Sequence, residues 1–298
     1  MADNPNQIVA LSDTERASVV ERKVTCPFVG SAVAQGDLAV RNEANNPLAS
    51  IEDVRALGNL GGGDLGDLLT FFAAGNHAFM RGPDGKLNKP APANLFSLEL
   101  PGSQGSHPGH SGILQGNPEE LDSGRFSQTD FERLLSHAKD GVIKRSDVGR
   151  FIAENLVRDP KSKVAGLNTA ELLAGDVLNL VETAGSALVG KLLGSDKGGG
   201  TTHREVEEKL TKLTGENNLV GSAGEFGLLF AFLVNKPGAR KVMGEPVVDV
   251  DDLKTMFVDK RLPNGWETWR KSRVDWVTNT TGLLVSAAKE YRKLRGSS

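Results

Sequence analysis

The amino-acid sequence predicts an all-α protein of one domain, a helical bundle, and three observations support this prediction. Apolar residues recur at helical spacing in most segments, as Val54, Leu57 and Leu60 do. Runs that alternate between apolar and polar residues, which are typical of half-buried strands, do not recur, and no internal repeat is visible. The 298 residues are enough to bury one full-sized core.

The predicted helices begin and end at recognisable residues. Ser50 is an N-cap for the first helix, Pro160 lies just beyond the end of another, and Thr202–Glu205 is a capping box for a further one. The main predicted helices cover residues 51–60, 65–79, 131–135, 148–156, 168–193, 225–234, 250–261 and 279–294. Trp266, Trp269 and Trp276 are expected to pack the last helix.

The predicted domain spans residues 1–298 and contains segments of distinct composition. Residues 1–20 form an N-terminal extension, the polar residues 195–218 a surface insertion, and residues 277–298 a C-terminal helix. Residues 86–117 are rich in Pro, Gly, Ser and Asn, which predicts a long irregular connection. Such connections inside a compact domain are usually functional or disordered.

Charge and composition exclude several classes of partner. A net charge of -3 with interspersed signs and 5% aromatic residues give no argument for nucleic acid or an anionic membrane. The longest apolar runs, such as Phe226 to Val234, are too short to span a bilayer. The N-terminus has no basic start followed by an apolar run. We expect a cytoplasmic protein, with secretion as the alternative if the chain is a mature form.

Cys26 is the first candidate for chemistry. It is the only cysteine, so an intramolecular disulfide is impossible. Pro27 fixes its own backbone and cannot donate a hydrogen bond, which suits the start of a helix. A thiolate at a helix N-terminus is stabilised by the positive end of the helix dipole. The alternative is that Cys26 is a small buried hydrophobic residue.

Four short segments, in the same order, resemble the haem-thiolate peroxidases, the family of chloroperoxidase and the unspecific peroxygenases. The first is Cys26-Pro27 followed by Gly36-x-Leu38, although Gln35 replaces the usual His and Gly30 the usual Asn. The others are Phe126–Phe131 with the helix that ends before Pro160, Gly224–Phe230, and the stretch from Met256-Phe257 through Leu262-Pro263 to Gly265-Trp266.

This resemblance implies an all-α fold that encloses haem b, with Cys26 as the axial ligand of the iron. It implies hydrogen peroxide as the oxidant and a small organic molecule that is oxidised or oxygenated, or a halide that is oxidised. Pro27, Phe226 and Leu229 are the expected cofactor contacts beside Cys26. In the family a Glu also opens an apolar helix above the haem, and Glu225 matches that position.

Glu225 suits acid–base chemistry for a reason visible in the sequence. A carboxyl that heads a run of Phe, Leu and Ala is desolvated, which raises its pKa and favours the neutral acid. Such a group can take a proton from peroxide and return it to the departing oxygen, while an axial thiolate favours O–O cleavage. The alternative is that Glu225 complements the helix dipole and faces water.

The family's metal site beside a haem propionate uses an acidic pair, which this chain lacks. Gln115, Gly116 and Asn117 stand where that pair is expected. Hard cations prefer anionic oxygen ligands, so we expect this metal site to be weak or absent. His107 and His110 are candidates to orient Glu225, or else they are exposed loop residues.

Two other functions remain open from the sequence. These departures from the family pattern are also compatible with a haem-binding protein that has little or no peroxidase activity. A helical protein without a cofactor, in which Cys26 is structural, is the third hypothesis.

Overall fold

Helices make up most of the part of the chain that this computed structural model describes. The described residues are 11–17, 27–43, 46–58, 80–81, 87–88, 95–97, 113–117, 122–158, 219–269 and 273–296. The longer helices are α1 (Pro27–Gln35), α2 (Ile51–Gly58), α3 (Gln128–Leu135), α4 (Arg145–Arg158), α5 (Leu219–Leu233), α6 (Val250–Phe257) and α7 (Arg273–Gly296). A mostly helical fold is therefore confirmed for these residues.

Short antiparallel strands accompany the helices, which the all-α prediction did not include. They are β1 (Val40–Glu43), β2 (Asn46–Ser50), β3 (Met80–Arg81), β4 (Leu87–Asn88), β5 (Leu95–Ser97), β6 (Leu114–Asn117), β7 (Asp122–Phe126), β8 (Val142–Ile143), β9 (Lys241–Val242), β10 (Glu245–Pro246) and β11 (Val248–Asp249). The order β1-β2-β5 makes one sheet, and the other strands pair in twos. Strands of two to five residues are too short for a recognisable alternation, so the sequence pattern does not reveal them.

β4, β5 and β6 fall within residues 86–117, the segment predicted to be irregular. β5 continues the sheet through Ala49↔Phe96, and β6 pairs with β7 through Leu114↔Phe126. The backbone groups of these short pieces are therefore paired with neighbouring strands, although the composition is typical of a loop. The predicted helices at 65–79 and 168–193, and the proposed insertion at 195–218, lie outside the described residues.

Three helix boundaries differ from the prediction by four residues or more. α5 begins at Leu219, six residues before Glu225, and α7 begins at Arg273. α6 ends at Phe257, before the predicted end at Arg261. Glycine has low helix propensity, which is why the stretch before Glu225 does not look helical in isolation. Tertiary packing decides its conformation instead.

α7 packs across α4 and α5 through small residues. A Cβ added to Gly227 of α5 would lie 2.0 Å from Thr280 Oγ1 and 2.9 Å from Thr280 Cα. A Cβ added to Gly149 of α4 would lie 2.4 Å from Ser286 Oγ. The two glycines thus let the helix backbones approach closely, and Trp276 of α7 is fully buried.

A charged cluster fixes the segment between α5 and α6. Lys236 Nζ donates to both carboxylate oxygens of Asp252, at 2.9 and 3.0 Å. Arg240 donates to Asp249 and to the backbone carbonyl of Gly141. Burial raises the pKa of Asp252, against the lowering effect of the hydrogen bond from Lys236. The start of α6 is therefore held by paired charges.

Within the described ranges, no helix has both the length and the apolar composition needed to cross a membrane.

Candidate functional site

The segments that carry the family resemblance contact one another in the core. Phe28 of α1 lies 5.3 Å, between ring centroids, from Trp266, and the two rings stack. The carboxamide oxygen of Gln35 accepts a hydrogen bond from the backbone N–H of Leu262. Ser31 Oγ donates to the carbonyl of Met256 at 3.3 Å. The first and last of the four segments are thus neighbours.

The two middle segments meet this pair through aromatic rings. Phe151 of α4 makes an edge contact with Phe226 of α5 at 6.4 Å between centroids. Phe232 of α5 contacts Phe28 at 5.8 Å and Trp266 at 4.9 Å. α5 therefore joins α4 on one side to α1 and Trp266 on the other. Sequence spacing alone predicts none of these contacts, because they join residues far apart in the chain.

α1 begins at Pro27, the residue that directly follows Cys26 in the sequence. Pro27, Phe28 and the next five residues are buried. The helix ends at Gln35, and Gly36 follows with φ +82°, the left-handed conformation that glycine adopts without strain. The predicted helix after the Cys-Pro pair is thus present, and Pro27 is its first residue, as expected. Cys26 itself lies outside the described residues.

Glu225 is a buried carboxyl in the middle of α5. Its exposed fraction is 4%, so the alternative interpretation, in which it complements the helix dipole and faces water, is wrong. Burial raises the pKa of this carboxyl well above its ordinary value. The prediction that it opens the helix is also wrong, since two turns of α5 precede it. The desolvation predicted from the sequence is confirmed, but its cause is the surrounding core, not only the helix's own apolar run.

The face of α5 that carries Glu225 is set by two contacts of its neighbours. Trp276 Nε1 donates to the carbonyl of Gly224 at 3.2 Å, and Gly227 meets Thr280, so that side faces α7. With about 100° between successive residues, Glu225 lies away from that side. Phe232, seven residues later, is within about 20° of the same direction and about 10.5 Å further along the axis. Glu225 thus shares a helix face with the ring that contacts Phe28.

Ser222 lies one turn before Glu225 and adds a second buried polar group to this face. It is fully buried, and its hydroxyl has no hydrogen-bond partner among the described residues. Residues three apart on a helix have Cβ atoms about 5–6 Å from each other. Ser222 is not among the site residues predicted from the sequence; the available signal was a serine three residues before a candidate acid in an apolar helix.

Of the remaining predicted site residues, the structure describes Phe226 and Leu229 but not His107 and His110. Phe226 and Leu229, the expected cofactor contacts, are buried on α5. Phe226 contacts Phe151 of α4, and Leu229 lies one turn after Glu225. His107 and His110 lie outside the described residues, as Cys26 does. In the described ranges, no three His, Cys, Asp or Glu side chains are grouped closely enough to hold a metal ion.

Trp266 and Trp276 occupy different positions in the core. Trp276 belongs to α7 and bonds to α5, as predicted. Trp266 instead packs between Phe28 and Phe232, and its indole N–H donates to the carbonyl of Leu57 at 3.2 Å. These contacts place Trp266 in the core beside α1.

A second buried polar cluster lies between α3 and α4. Asp130 accepts ion pairs from Arg133 at 2.9 Å and from Arg158 at 2.8 Å. Asn155 accepts hydrogen bonds from the same two guanidinium groups. Arg133 also lies over the Phe151 ring at 5.0 Å. The ion pairs and hydrogen bonds within this cluster offset much of its charge and link α3 to α4.

Comparison with known proteins adds no relative: no family model, curated protein or solved structure matches the chain.

Proposed function

We propose that this protein is a haem-thiolate peroxidase or peroxygenase, which uses hydrogen peroxide to oxidise or oxygenate a small organic molecule. The observation that carries the proposal is the buried Glu225 carboxyl on the face of α5 that also contacts Phe28, two residues after Cys26. Glu225 thus lies on α5, and Cys26 directly precedes α1, whose Phe28 contacts α5. Sequence resemblance supports both residues, and burial supports Glu225.

The residues available fit a haem with a thiolate ligand. The thiolate of Cys26 is a soft ligand suited to iron, and α1 starts directly after it, where the helix dipole favours a negative charge. Phe28, two residues after Cys26 in the sequence, contacts the rings of Phe232 and Trp266. The Ser222 hydroxyl, one turn before Glu225, has no partner among the described residues and could bond to a polar ligand.

Haem with a thiolate ligand supplies the iron that binds peroxide and the electrons that O–O cleavage requires. The chain supplies the proton transfers. The ionised Glu225 accepts a proton from one peroxide oxygen and donates it to the other, which leaves as water. The apolar residues around Glu225 exclude bulk water and keep its pKa high. The ionised carboxylate is therefore a stronger base than that of an ordinary glutamate.

The raised pKa of Glu225 gives the proposal a pH signature. The carboxyl accepts a proton only when it is ionised, so kcat/KM for peroxide falls as the pH drops below the pKa of Glu225. Because burial raises that pKa, this loss of activity occurs at a higher pH than an ordinary glutamate would give.

The test is peroxide-dependent oxidation of a panel of phenols by the haem-loaded protein, with haem content measured for each variant. Glu225→Gln is expected to retain haem and to lose about 10²- to 10⁴-fold in rate, the usual contribution of a general acid–base. The exposed Glu267→Gln is the matched control and is expected to keep the wild-type rate. Equal rates for Glu225→Gln and wild type would contradict the assignment of Glu225.

A further inference from the structure

Ser222, Glu225 and Leu229 form a stripe along α5 that faces away from α7. Their spacing of three and four residues places them within one helix face. The neighbours that contact α7, Gly224 and Gly227, lie on the other side. All three residues of the stripe are buried, at 0%, 4% and 4% exposure. Two of them carry polar side chains, in a helix that is otherwise made of apolar residues and glycine.

A buried hydroxyl without a partner is destabilising, because it has given up hydrogen bonds to water. Ser222 Oγ is such a group in the described structure. A small polar molecule bound beside it restores the missing hydrogen bond. The carboxyl one turn away supplies the second contact for the same molecule.

We infer that the Ser222 hydroxyl is the second hydrogen-bonding group for hydrogen peroxide, and that it donates to the peroxide oxygen that leaves as water. This inference rests on the proposed function. The departing oxygen would receive one proton from Glu225 and keep its own as the O–O bond breaks. The two electrons that reduce it would be supplied by the haem that Cys26 would hold. The hydrogen bond from Ser222 stabilises the charge that develops on the oxygen as the bond breaks.

The decisive variant is Ser222→Ala, which removes the hydroxyl and keeps the helix. Its kcat/KM for hydrogen peroxide is expected to fall about tenfold, the effect of one hydrogen bond in a desolvated site. The pH at which activity is lost on acidification should stay at the wild-type value, since Glu225 is untouched. A serine that merely positioned Glu225 would shift that pH. Ser222→Thr, which keeps a hydroxyl, should recover most of the activity.

Thr280→Val is the matched control. The Thr280 hydroxyl is also buried and has no partner among the described residues, but it lies against Gly227 on the α7 side. Its removal should leave kcat/KM for peroxide unchanged. The thermal stability of the haem-free protein gives a second readout: Ser222→Ala should unfold at the wild-type temperature or above, because no protein hydrogen bond is lost.

The outcomes distinguish a failure of the role of Ser222 from a failure of the proposed function. Wild-type turnover with an unchanged kcat/KM for Ser222→Ala overturns the role of Ser222 alone. A clear fall in the unfolding temperature of haem-free Ser222→Ala also overturns it, because the hydroxyl would then be bonded within the protein. A haem-loaded wild-type protein with no peroxide turnover overturns the proposed function and this inference together.

Discussion

Replacing Glu225 by glutamine tests whether this carboxyl is held neutral by the core. Burial raises its pKa well above the ordinary value of 4.5. Below that value the carboxyl is protonated in both the folded and the unfolded chain, and it contributes no pH dependence. As the pH rises, the unfolded chain releases the proton while the folded chain retains it, so folding becomes less favourable. The loss continues until the pH reaches the raised pKa of the folded state.

The magnitude follows from the linkage between protons and folding. In that window the free energy of unfolding falls by up to about 1.4 kcal/mol per pH unit relative to a chain without the group. For a large domain about 1 kcal/mol changes the unfolding temperature by roughly 2 °C, so the expected slope is about 3 °C per pH unit. The stability of Glu225→Gln relative to wild type should therefore increase with pH above about 4.5.

The assay is thermal unfolding followed by circular dichroism from pH 4 to pH 8, with wild type, Glu225→Gln and Glu267→Gln in parallel. Glu267 is exposed, so its variant should follow the wild-type curve with no added slope. The slope is the quantity of interest, because a constant offset can arise from any change in local contacts. Parallel curves for Glu225→Gln and wild type would refute the claim that Glu225 is desolvated.

Two further predictions concern the packing that holds α5 in place. Gly227→Ala should destabilise the fold by about 1–3 kcal/mol in urea unfolding, less the gain in helix propensity, because the new Cβ meets backbone as well as side chain of α7. Gly296→Ala is the control and should be neutral in the same assay, because a Cβ added there has open space. Lys236→Met should cost about 1–3 kcal/mol at neutral pH by leaving the Asp252 carboxylate buried without its cation. The cost of the lysine variant should shrink at acid pH, where Asp252 is protonated, and a pH-independent loss would contradict this explanation.

The helices were predictable where amphipathic spacing and end signals agree. Phe131 and Leu134 are buried on α3, and Ser127 caps that helix by accepting from the backbone N–H of Asp130. α4 likewise ends at Arg158, before Pro160. In these elements local preference and tertiary packing favour the same conformation, so sequence spacing is sufficient.

The start of α5 was not predictable, because the glycines before Glu225 disfavour the helix that the structure contains there. Gly221 and Gly224 disfavour a helix in isolation, yet the helix forms and packs against α7, where Gly227 allows a close approach. Consequently Glu225 looked like a helix start in the sequence, whereas in the structure it is a buried mid-helix residue. The hydroxyl of Ser222 was overlooked for the same reason, since its face of the helix is known only once the helix is longer.

The residues that contact α1 could not be predicted from the sequence either. Phe28 was recognised as part of a family-like segment, but its contacts with Phe232 and Trp266 join residues more than two hundred positions apart. Tertiary contacts of this kind depend on the path of the chain, which spacing does not specify. They matter here because they bring the helix after Cys26 and the helix of Glu225 into one core.

Thiolate ligation of haem by Cys26 is the central claim, and an absorption spectrum tests it most directly. The protein, purified from haem-supplemented cells, is reduced and exposed to carbon monoxide, alongside Cys26→Ala. Because Cys26 is the only cysteine, no other side chain of this protein can supply a thiolate. A strongly red-shifted Soret band that disappears in Cys26→Ala is the predicted result. A haem band at the ordinary position, or a colourless protein, would contradict the claim.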